Sequence, residues 1–221
     1  YLSRANGFAN YAEATAAPTN FTMDEETKAT FYNNSNYDPN EFNDADDVMP
    51  TTGAKNGLKL EDLRGVDYDD PQWDELLDQM TVSEMDTLIA IGGYQTSAIN
   101  SIGKVQTIDC DGPASINNNF TGKGSIGFPA AVMIAATWNV DLANDFGERI
   151  GKMADEMGVS GWYAPAMNTH RSAFAGRNFE YYSEDPVLAG AMAAAVLQGL
   201  QENHNVLGCA KHFAANEQET Y

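Results

Sequence analysis

Four polar side chains suited to binding a small ligand follow apolar runs or lie in a polar loop of this sequence. Asp111 ends a β-prone run, and Lys211 and His212 directly follow the apolar run 206–210. Arg177 comes after a glycine, which lets the backbone turn sharply. A carboxylate accepts hydrogen bonds from two neighbouring hydroxyl groups, and adjacent cationic donors bind anions or polyols. These residue types therefore predict recognition of a hydroxyl-rich or anionic small molecule.

Each of these side chains also has an ordinary structural interpretation. Asp111 precedes Gly-Pro and fits a turn, and the pair Lys211 and His212 fits a structural salt bridge. Trp138 offers a flat face for a pyranose ring, and it equally suits a hydrophobic core. The acidic residues after Arg177 predict Arg–Glu pairs and a helix cap rather than ligand contacts. These acidic residues are Glu180, Glu184 and Asp185.

The segments that must position these residues become regular from about residue 72 onward. Thr81 and Glu84 have the spacing of a helical capping box. Apolar residues recur every three or four positions after Asp141, a candidate N-cap, and predict a helix that ends before Gly158. Another helix is expected from 185–186 through about 201, because proline suits a first helical turn. The predicted strands are 105–108, 131–136, 161–164 and 206–210.

This alternation predicts an α/β fold with parallel strands and right-handed crossovers. In such folds ligands bind at the carboxyl ends of the strands, where the polar residues of interest are found. A complete (β/α)8 barrel takes roughly 250 residues, and 104–221 supply only about four of its eight strands. A barrel interpretation therefore implies that 72–221 form only the first, incomplete part of a TIM-like (β/α)8 barrel.

An irregular acidic arm or linker is predicted for 1–71. Residues 1–80 carry 17 acidic and 5 basic side chains, and the stretch 32–47 is rich in Asn and Asp. This composition favours turns and solvated loops over a packed core. At most a short helix is expected there, near 23–31.

The charge balance limits the classes of partner. The 221 residues include 12 basic and 32 acidic side chains, for a formal net charge of −20, and the isoelectric point is about 4.2. Such a chain repels nucleic-acid phosphates and anionic lipids, so neither nucleic acid nor a membrane is expected as a partner. No apolar run reaches the roughly 18 residues of a membrane-spanning helix.

Neither a cofactor nor a metal is predicted. The glycines of 122–127 match G-x-G-x-x-G, but a polar loop precedes them and Phe-Pro follows, so no nucleotide site is expected. The three histidines lack metal-ligand spacing, and His204 is expected to cap a helix or face solvent. Cys110 and Cys209 are expected to be buried free thiols. The compartment stays open, with cytoplasm preferred over secretion because nothing demands disulfides.

The motifs resemble, in order along the chain, those of glycoside hydrolase family 3, the β-glucosidase and β-xylosidase type. The resemblance covers about 72–221. Its longest segments are Gly176-Arg-Asn-Phe-Glu-Tyr-Tyr-Ser-Glu-Asp-Pro186 and Lys211-His-Phe-Ala-Ala-Asn-Glu-Gln-Glu219. Shorter matches are Met80-Thr-Val-Ser-Glu84, Asp111-Gly-Pro113, Gly127-Phe-Pro129, Ala136-Thr-Trp-Asn139 and Tyr163-Ala-Pro-Ala-Met-Asn168 with His170-Arg171.

The resemblance implies a barrel that holds the terminal sugar of a β-glucoside or short β-linked oligosaccharide in a pocket. It also implies retaining hydrolysis by double displacement, without a cofactor. Four residues match family positions that hydrogen-bond the sugar hydroxyls, and two further residues are candidates for the same pocket. The matching four are Asp111, Arg177, Lys211 and His212, and the further two are Arg171 and Trp138.

Neither catalytic carboxylate is assigned to this chain. The family's nucleophile is an Asp in a Ser-Asp-Trp-like motif well beyond the Lys-His segment, and the acid/base Glu usually comes from another domain. Glu217 and Glu219 are not assigned to either role. The resemblance implies that the remaining barrel half and an α/β sandwich domain complete the enzyme, in the same polypeptide or a companion chain. The opening residues resemble members whose domain order is reversed.

Two other classes of protein stay open at this point. A non-catalytic carbohydrate-binding protein derived from a degenerate glycosidase would keep the sugar-binding residues without the catalytic carboxylates. A purely structural or interaction domain would leave the clustering of Asp111, Lys211 and His212 after strands unexplained.

Overall fold

The computed structural model describes residues 4–16, 22–31, 38–217 and 219. The chain separates into two compact units, Tyr1–Thr51 and Thr52–Thr220. Residues 32–37 of the Asn- and Asp-rich stretch lie outside the described residues. The predicted boundary between an arm and a barrel at 71/72 stays a prediction.

The first unit contains short helical segments and no buried core among its described residues. They are the 3₁₀ turn Arg4–Asn6, α1 (Tyr11–Ala14) and α2 (Glu25–Ala29). Asp24 caps α2, because its side chain accepts a hydrogen bond from the Thr27 amide at 2.7 Å. The predicted short helix near 23–31 is therefore confirmed, and its carboxylate cap explains where it begins. The expectation of at most one short helix is wrong, because α1 is a second one.

The second unit is an α/β structure. Its helices are α3 (Gln72–Leu77), α4 (Val82–Ala90), α5 (Ala131–Ala136), α6 (Val140–Met157) and α7 (Pro186–Glu202). Its strands are β1 (Gln95–Thr96), β2 (Thr107–Cys110), β3 (Asn117–Asn118), β4 (Lys123–Gly124), β5 (Gly161–Trp162) and β6 (Leu207–Gly208). None of the helices in the described part of the chain combines the length and apolar character needed to cross a bilayer.

Four short strands form one sheet in the order β1-β2-β5-β6. The edge strand β1 runs antiparallel to β2, whereas β2, β5 and β6 are parallel. Trp162 of β5 stands between Cys110 and Gly208 in the register. Two helical crossovers connect these parallel strands, so neighbours in the sheet follow each other along the chain. The carboxyl ends of β2, β5 and β6 consequently meet at one edge.

The main core lies between this sheet and the helices. Trp162 is completely buried, and its indole nitrogen donates to the carbonyl oxygens of Gly112 and Ser115 at 3.1 and 2.9 Å. Ile150 of α6 and Met192 of α7 are also completely buried in the same cluster. This packing holds the loop after β2 against β5. A smaller core of Leu63, Leu76, Met80, Ile99 and Ile102 surrounds α3 and α4.

Helix boundaries follow local capping chemistry. The Thr81–Glu84 capping box is present in both directions, and Asp185 caps α7 through the Val187 amide at 2.8 Å. Gly158 ends α6 in the left-handed conformation, at φ +66°. These three predictions are confirmed. The predicted N-cap of α6 is wrong by two residues, because Asn139 rather than Asp141 accepts the first helical amides.

The predicted strand at 131–136 is wrong, because these residues form helix α5. Ala131, Ile134 and Ala135 are its buried residues, a spacing that matches one helical face. A short apolar run does not separate a strand from a buried helix by hydrophobicity alone. Trp138 therefore follows a helix rather than a strand.

The prediction of two buried thiols is confirmed for Cys110 and wrong for Cys209, which is exposed. A Cβ at Gly208 would meet Leu197 and Leu200 of α7, so Gly208 faces the helix layer. Successive residues of a strand face opposite sides of a sheet, which turns Cys209 away from that layer. His204 is also not solvent-facing, because 12% of its side chain is exposed and its Nδ1 lies 2.6 Å from Asp155 Oδ2.

Candidate functional site

Asp111 and Lys211 meet at the carboxyl ends of two parallel strands. Asp111 directly follows β2, and its backbone exchanges two 2.9 Å hydrogen bonds with Asn117. Lys211 lies beyond β6, where it extends the sheet beside Ala166. The Lys211 Nζ donates to Asp111 Oδ1 at 2.7 Å, and the Gly112 amide donates to the same oxygen at 2.8 Å. The structure thus brings two of the predicted site residues into direct contact.

The loop between β5 and α7 adds a second cation and a buried carboxylate. The 3₁₀ turn Asn178–Glu180 carries Glu180, whose side chain is only 7% exposed. Arg177 Nε donates to Glu180 Oε1, and Lys211 Nζ lies 3.7 Å from Glu180 Oε2. Glu180 therefore stands between the guanidinium and the ammonium group. The predicted Arg–Glu pairing in this loop is confirmed for Arg177 and Glu180.

His212 contacts Arg177 through a different nitrogen from the one that binds Glu180. His212 Nε2 lies 2.8 Å from Arg177 Nη2, and His212 Nδ1 lies 3.0 Å from the Tyr181 hydroxyl. Because a guanidinium only donates, Nε2 must accept, so the imidazole is neutral with its proton on Nδ1. Burial, assisted by the charges of Arg177 and Lys211, lowers the pKa of His212 and favours this neutral form. The His212 amide also donates to Asn168 Oδ1 at 2.6 Å.

A cavity of about 310 Å³ opens beside these groups. Its polar wall includes Asp111, Asn117, Asn119, Arg177, Glu180 and Lys211. Its aromatic wall consists of Tyr94, Phe120 and Phe179. The Tyr94 and Phe120 rings pack with their centroids 5.3 Å apart. A few convergent polar groups facing apolar rings are typical of a small-molecule site, and this volume suits one small ligand.

The polar wall keeps hydrogen-bonding capacity for a ligand. Within the described residues, Arg177 donates through Nε to Glu180, through Nη1 to Glu219 at 3.3 Å and through Nη2 to His212. A guanidinium has five N–H groups, so two remain. Asp111 Oδ2 accepts no hydrogen bond from any described residue, because the Gly112 amide and Lys211 Nζ both donate to Oδ1. Such an oxygen accepts hydroxyl groups readily.

The charges of the site stabilise one another. Burial opposes ionisation of Asp111, but the Lys211 hydrogen bond, the Gly112 amide and the Arg177 charge outweigh burial and lower the pKa of Asp111. The hydrogen bond to Glu180 raises the pKa of Arg177 further. At neutral pH the cavity therefore presents an ionised carboxylate beside a permanently charged guanidinium. Asp111 is suited to accept hydrogen bonds rather than to donate a proton.

Three of the six predicted site residues do not line this cavity. Arg171 lies on a neighbouring depression of about 430 Å³, which shares Phe179 with the first cavity. Trp138 is 73% exposed, so its interpretation as a core residue is wrong. A role of Arg171 or Trp138 in ligand binding stays a prediction. His212 also does not line the cavity and contacts it through Arg177.

Sequence reasoning missed most of the aromatic wall and the position of Glu180. Glu180 was expected to serve only in structural pairing, yet it also lines the cavity. A carboxylate three residues after Arg177 in a short turn was the available signal. Tyr94 and Phe120 lie near the edge strand and the β3–β4 hairpin, and no motif in the sequence connects them. Metal binding has no counterpart in the described residues, which contain no suitable group of three His, Cys, Asp or Glu side chains.

A polar cavity at the carboxyl ends of parallel strands is the arrangement of ligand-binding and catalytic α/β proteins, both barrels and open sheets. The sequence profile of the Glycosyl hydrolase family 3 N terminal domain matches residues 108–220, which include every polar residue of the cavity wall. This chain belongs to glycosyl hydrolase family 3, and its second unit supplies part of the family's TIM-barrel-like α/β fold.

Related sequences are β-glucosidases that are much longer than this chain. It is 43% identical over 129 residues to beta-glucosidase A of Butyrivibrio fibrisolvens, covering 58% of this chain and 15% of the relative. It is 39% identical over 154 residues to a beta-glucosidase of Rhizobium radiobacter, covering 66% and 18%. The chain thus spans less than a fifth of the length of these two curated relatives.

Solved structures of the same kind agree in fold. The beta-glucosidase 3B of Thermotoga neapolitana in complex with glucose matches with a TM-score of 0.56 and 36% identity, covering 66% of this chain and 23% of the other. A beta-glucosidase from Paenibacillus barengoltzii matches with a TM-score of 0.62 and 27% identity, covering 78% and 20%. The matched part of this chain covers only 23% and 20% of the two solved chains, so the parallel strands described here form only part of a barrel.

Proposed function

We propose that this chain forms the glycone-binding part of a retaining β-glycosidase. The full-length enzyme would release terminal non-reducing β-D-glucosyl residues from β-glucosides or short β-linked oligosaccharides. The observation that carries this proposal is the contact between Asp111 and Lys211 beside Arg177 on one wall of a cavity at the carboxyl edge of the sheet.

The chemistry of this wall suits a sugar ring. Neighbouring hydroxyl groups of a pyranose both donate and accept hydrogen bonds. Asp111 Oδ2 would accept from one or two hydroxyls, and the remaining N–H groups of Lys211 and Arg177 would donate to their oxygens. The rings of Phe120 and Phe179 border the same cavity and offer apolar faces to the C–H surface of the sugar.

The two catalytic carboxylates are proposed to come from residues outside these 221 positions. A retaining glycosidase needs a nucleophilic carboxylate and a carboxylic acid that protonates the leaving oxygen. The lowered pKa of Asp111 and its bond to Lys211 argue against an acid role. Glu180 pairs with Arg177 and is held beside Lys211. Asp111 is therefore suited to binding a ligand, and Glu180 is suited to pairing with the two cations.

The substrate class is a proposal that rests on the names of the relatives. The names of the relatives state β-glucosidase activity, and the Thermotoga neapolitana structure is a complex with glucose. We propose glucose as the glycone of this protein. The rest of the barrel and an α/β sandwich domain, in the same polypeptide or a companion chain, are the proposed partners in forming the complete site.

The test is hydrolysis of a chromogenic aryl β-D-glucoside by the full-length protein and its Asp111→Ala variant. Loss of a charged hydrogen bond is expected to raise the free energy of the transition state by about 2–4 kcal/mol, which lowers kcat/KM roughly tens- to hundreds-fold. Retention is read from the anomer that forms first, by proton NMR. An active protein whose kcat/KM is unchanged in Asp111→Ala would contradict the assigned pocket.

A non-catalytic carbohydrate-binding protein is the second candidate. The absence of an assignable proton donor among the described cavity residues favours it. Calorimetry with D-glucose separates the two candidates. Binding that depends on Asp111 without turnover of any aryl β-glycoside supports the binding protein, whereas turnover with retention supports the enzyme.

A further inference from the structure

Glu180 is a buried carboxylate between the two cations of the cavity, and the sugar contacts proposed above do not use it. Its side chain is 7% exposed, compared with 37% for both Arg177 and Asp111. A buried charge is unfavourable unless partners compensate for it. Here Oε1 accepts from Arg177 Nε, and Oε2 lies 3.7 Å from Lys211 Nζ. One carboxylate thus compensates for two cations.

We propose that Glu180 is a positioning residue that holds the Arg177 guanidinium and the Lys211 ammonium in the orientation needed to bind a sugar. The proposal rests on the function proposed above and deepens it. It assigns to Glu180 an effect on sugar affinity that is transmitted through two other side chains.

The orientation of Arg177 follows from its bond to Glu180. Nε sits at the base of the planar guanidinium, so a partner at Nε determines both the plane of the group and the directions of its terminal N–H bonds. His212 and Glu219 then take one terminal N–H each. Glu219 is 27% exposed and His212 is neutral, which leaves Glu180 as the most buried charged partner of Arg177.

The closeness of the two cations also depends on Glu180. Arg177 and Lys211 carry like charges on the wall of one small cavity, and like charges repel strongly where water is scarce. Asp111 pairs with Lys211 through Oδ1, but the same carboxylate would also accept sugar hydroxyls through Oδ2. Glu180 supplies a negative charge that the ligand does not need, so Lys211 and Arg177 stay together while Asp111 binds the sugar.

The chain offers a matched control on its surface. Arg149 and Asp145 form an Arg–carboxylate pair at 3.0 Å on α6, with 54% and 51% of their side chains exposed. Exposed pairs of this kind contribute little, because solvent screens them. Asp145→Asn therefore removes one carboxylate from an arginine without affecting the cavity.

The experiment compares Glu180→Gln, Arg177→Lys and the double variant in the full-length protein, with Asp145→Asn as control. We expect E180Q to lower kcat/KM for an aryl β-D-glucoside about 10- to 100-fold, the range of coupling for directly contacting groups. D-Glucose affinity, measured by calorimetry, should fall with it. Because Glu180 acts partly through Arg177, E180Q should cause a smaller loss in the R177K background than in the wild type, and the part transmitted through Lys211 should remain. Asp145→Asn should match the wild type.

Three results would overturn the positioning role. The first is a kcat/KM and a glucose affinity of E180Q that equal those of the wild type. The second is an equal fall in kcat/KM from E180Q in the wild-type and R177K backgrounds. The third is a lowered yield of folded E180Q whose activity per folded molecule is unchanged. If E180Q does not fold, Glu180→Asp replaces it in the test, because aspartate keeps the charge but has a shorter side chain. E180D should then fold and lose glucose affinity, and unchanged affinity would refute the proposal.

Failure of this proposal is distinguishable from failure of the proposed function. A wild-type protein that neither hydrolyses aryl β-D-glucosides nor binds D-glucose refutes the function itself. A wild-type protein that does both, with E180Q indistinguishable from it, refutes only the role of Glu180.

Discussion

Asp111 and Lys211 are 100 positions apart in the sequence, yet Lys211 Nζ donates to Asp111 Oδ1 at 2.7 Å. Parallel strands β2 and β6, separated by β5, bring the two segments to one edge of the sheet. The hydrogen bond engages Oδ1 and leaves Oδ2 without a hydrogen-bond donor among the described residues. Asp111 therefore makes a structural contact across the sheet through Oδ1 and can accept a hydrogen bond from a ligand through Oδ2.

Lys211→Met is expected to lower kcat/KM for an aryl β-D-glucoside about 30- to 1000-fold in the full-length protein. Methionine fills a similar volume but removes the charged donor, so both the sugar contact and the partner of Asp111 are lost, at about 2–4 kcal/mol. The measurement is steady-state kinetics. Lys152→Met on the exposed face of α6 is the matched control, and equal kinetics of the two variants would contradict the site.

The same variant should change the pH dependence of glucose binding. In the wild type, the Lys211 hydrogen bond helps to hold the pKa of Asp111 below its ordinary value of 3.8, against the opposite effect of burial. Removing Lys211 raises this pKa, so protonation of Asp111 begins at a higher pH. Glucose affinity of K211M should therefore decline at a higher pH than that of the wild type. Asp111→Asn should remove this acid transition, and its persistence in D111N would assign it to another group.

His212 should be replaced better by glutamine than by asparagine. Glutamine places an amide oxygen near the position of Nε2, where it accepts the Arg177 Nη2–H that His212 accepts at 2.8 Å. Asparagine is shorter, so it leaves this donor without its partner. We expect H212Q to retain more stability in urea and more activity than H212N. The reverse order would show that the Nε2 contact with Arg177 is not the one that matters most.

The stabilisation by His212 should also depend on pH. Its folded pKa is lowered from 6.5, by burial first and then by Arg177 and Lys211. The folded state therefore prefers the neutral ring. Stabilisation is complete above pH 6.5 and declines as the pH falls through the lower, folded value. The difference in unfolding free energy between wild type and H212Q should shrink over that interval.

Gly147 and Gly199 should not tolerate a methyl group. A Cβ at Gly147 would lie 2.0 Å from the Val196 carbonyl oxygen, and a Cβ at Gly199 would lie 2.0 Å from that of Asn144. Either alanine must push α6 and α7 apart, with an expected loss of about 1–3 kcal/mol or more in unfolding free energy. Gly190→Ala on α7 is the control, because nothing lies within 4 Å of its Cβ position. It should be neutral or stabilise the helix by about 0.5–1 kcal/mol.

Thr81→Ala should destabilise the protein by about 1 kcal/mol through loss of the N-cap of α4. The Glu84 carboxylate accepts from the Thr81 amide at 2.9 Å and the Ser101 amide at 2.9 Å, which together lower the pKa of Glu84 to about 2. Its stabilisation is present above pH 4.5 and is lost as the pH falls towards 2. Chemical unfolding of T81A and E84Q at several pH values checks both statements. Ser83→Ala, in the same turn, should change stability least.

Local signals predicted several elements correctly from the sequence. The Thr81–Glu84 box, Gly158 and Asp185 mark helix ends because capping depends on a few neighbouring residues and their backbone. The run 131–136 was misread because its six apolar residues fit a short strand as well as a buried helix. Its helical character depends on which face packs against the core, and that is a tertiary property.

The sequence by itself determined the chemistry available to the site, namely a carboxylate, two cations and a histidine placed after apolar runs or in one polar loop. Only the tertiary structure decided which of them touch. It put Asp111 against Lys211, set Glu180 between Lys211 and Arg177, and left His212 in contact with Arg177 but outside the cavity wall. It also left Trp138 exposed and outside the cavity wall. The physical reason is that residue type sets what a side chain can bind, whereas distance and burial, which set the strength of charged contacts, arise only when distant segments pack together.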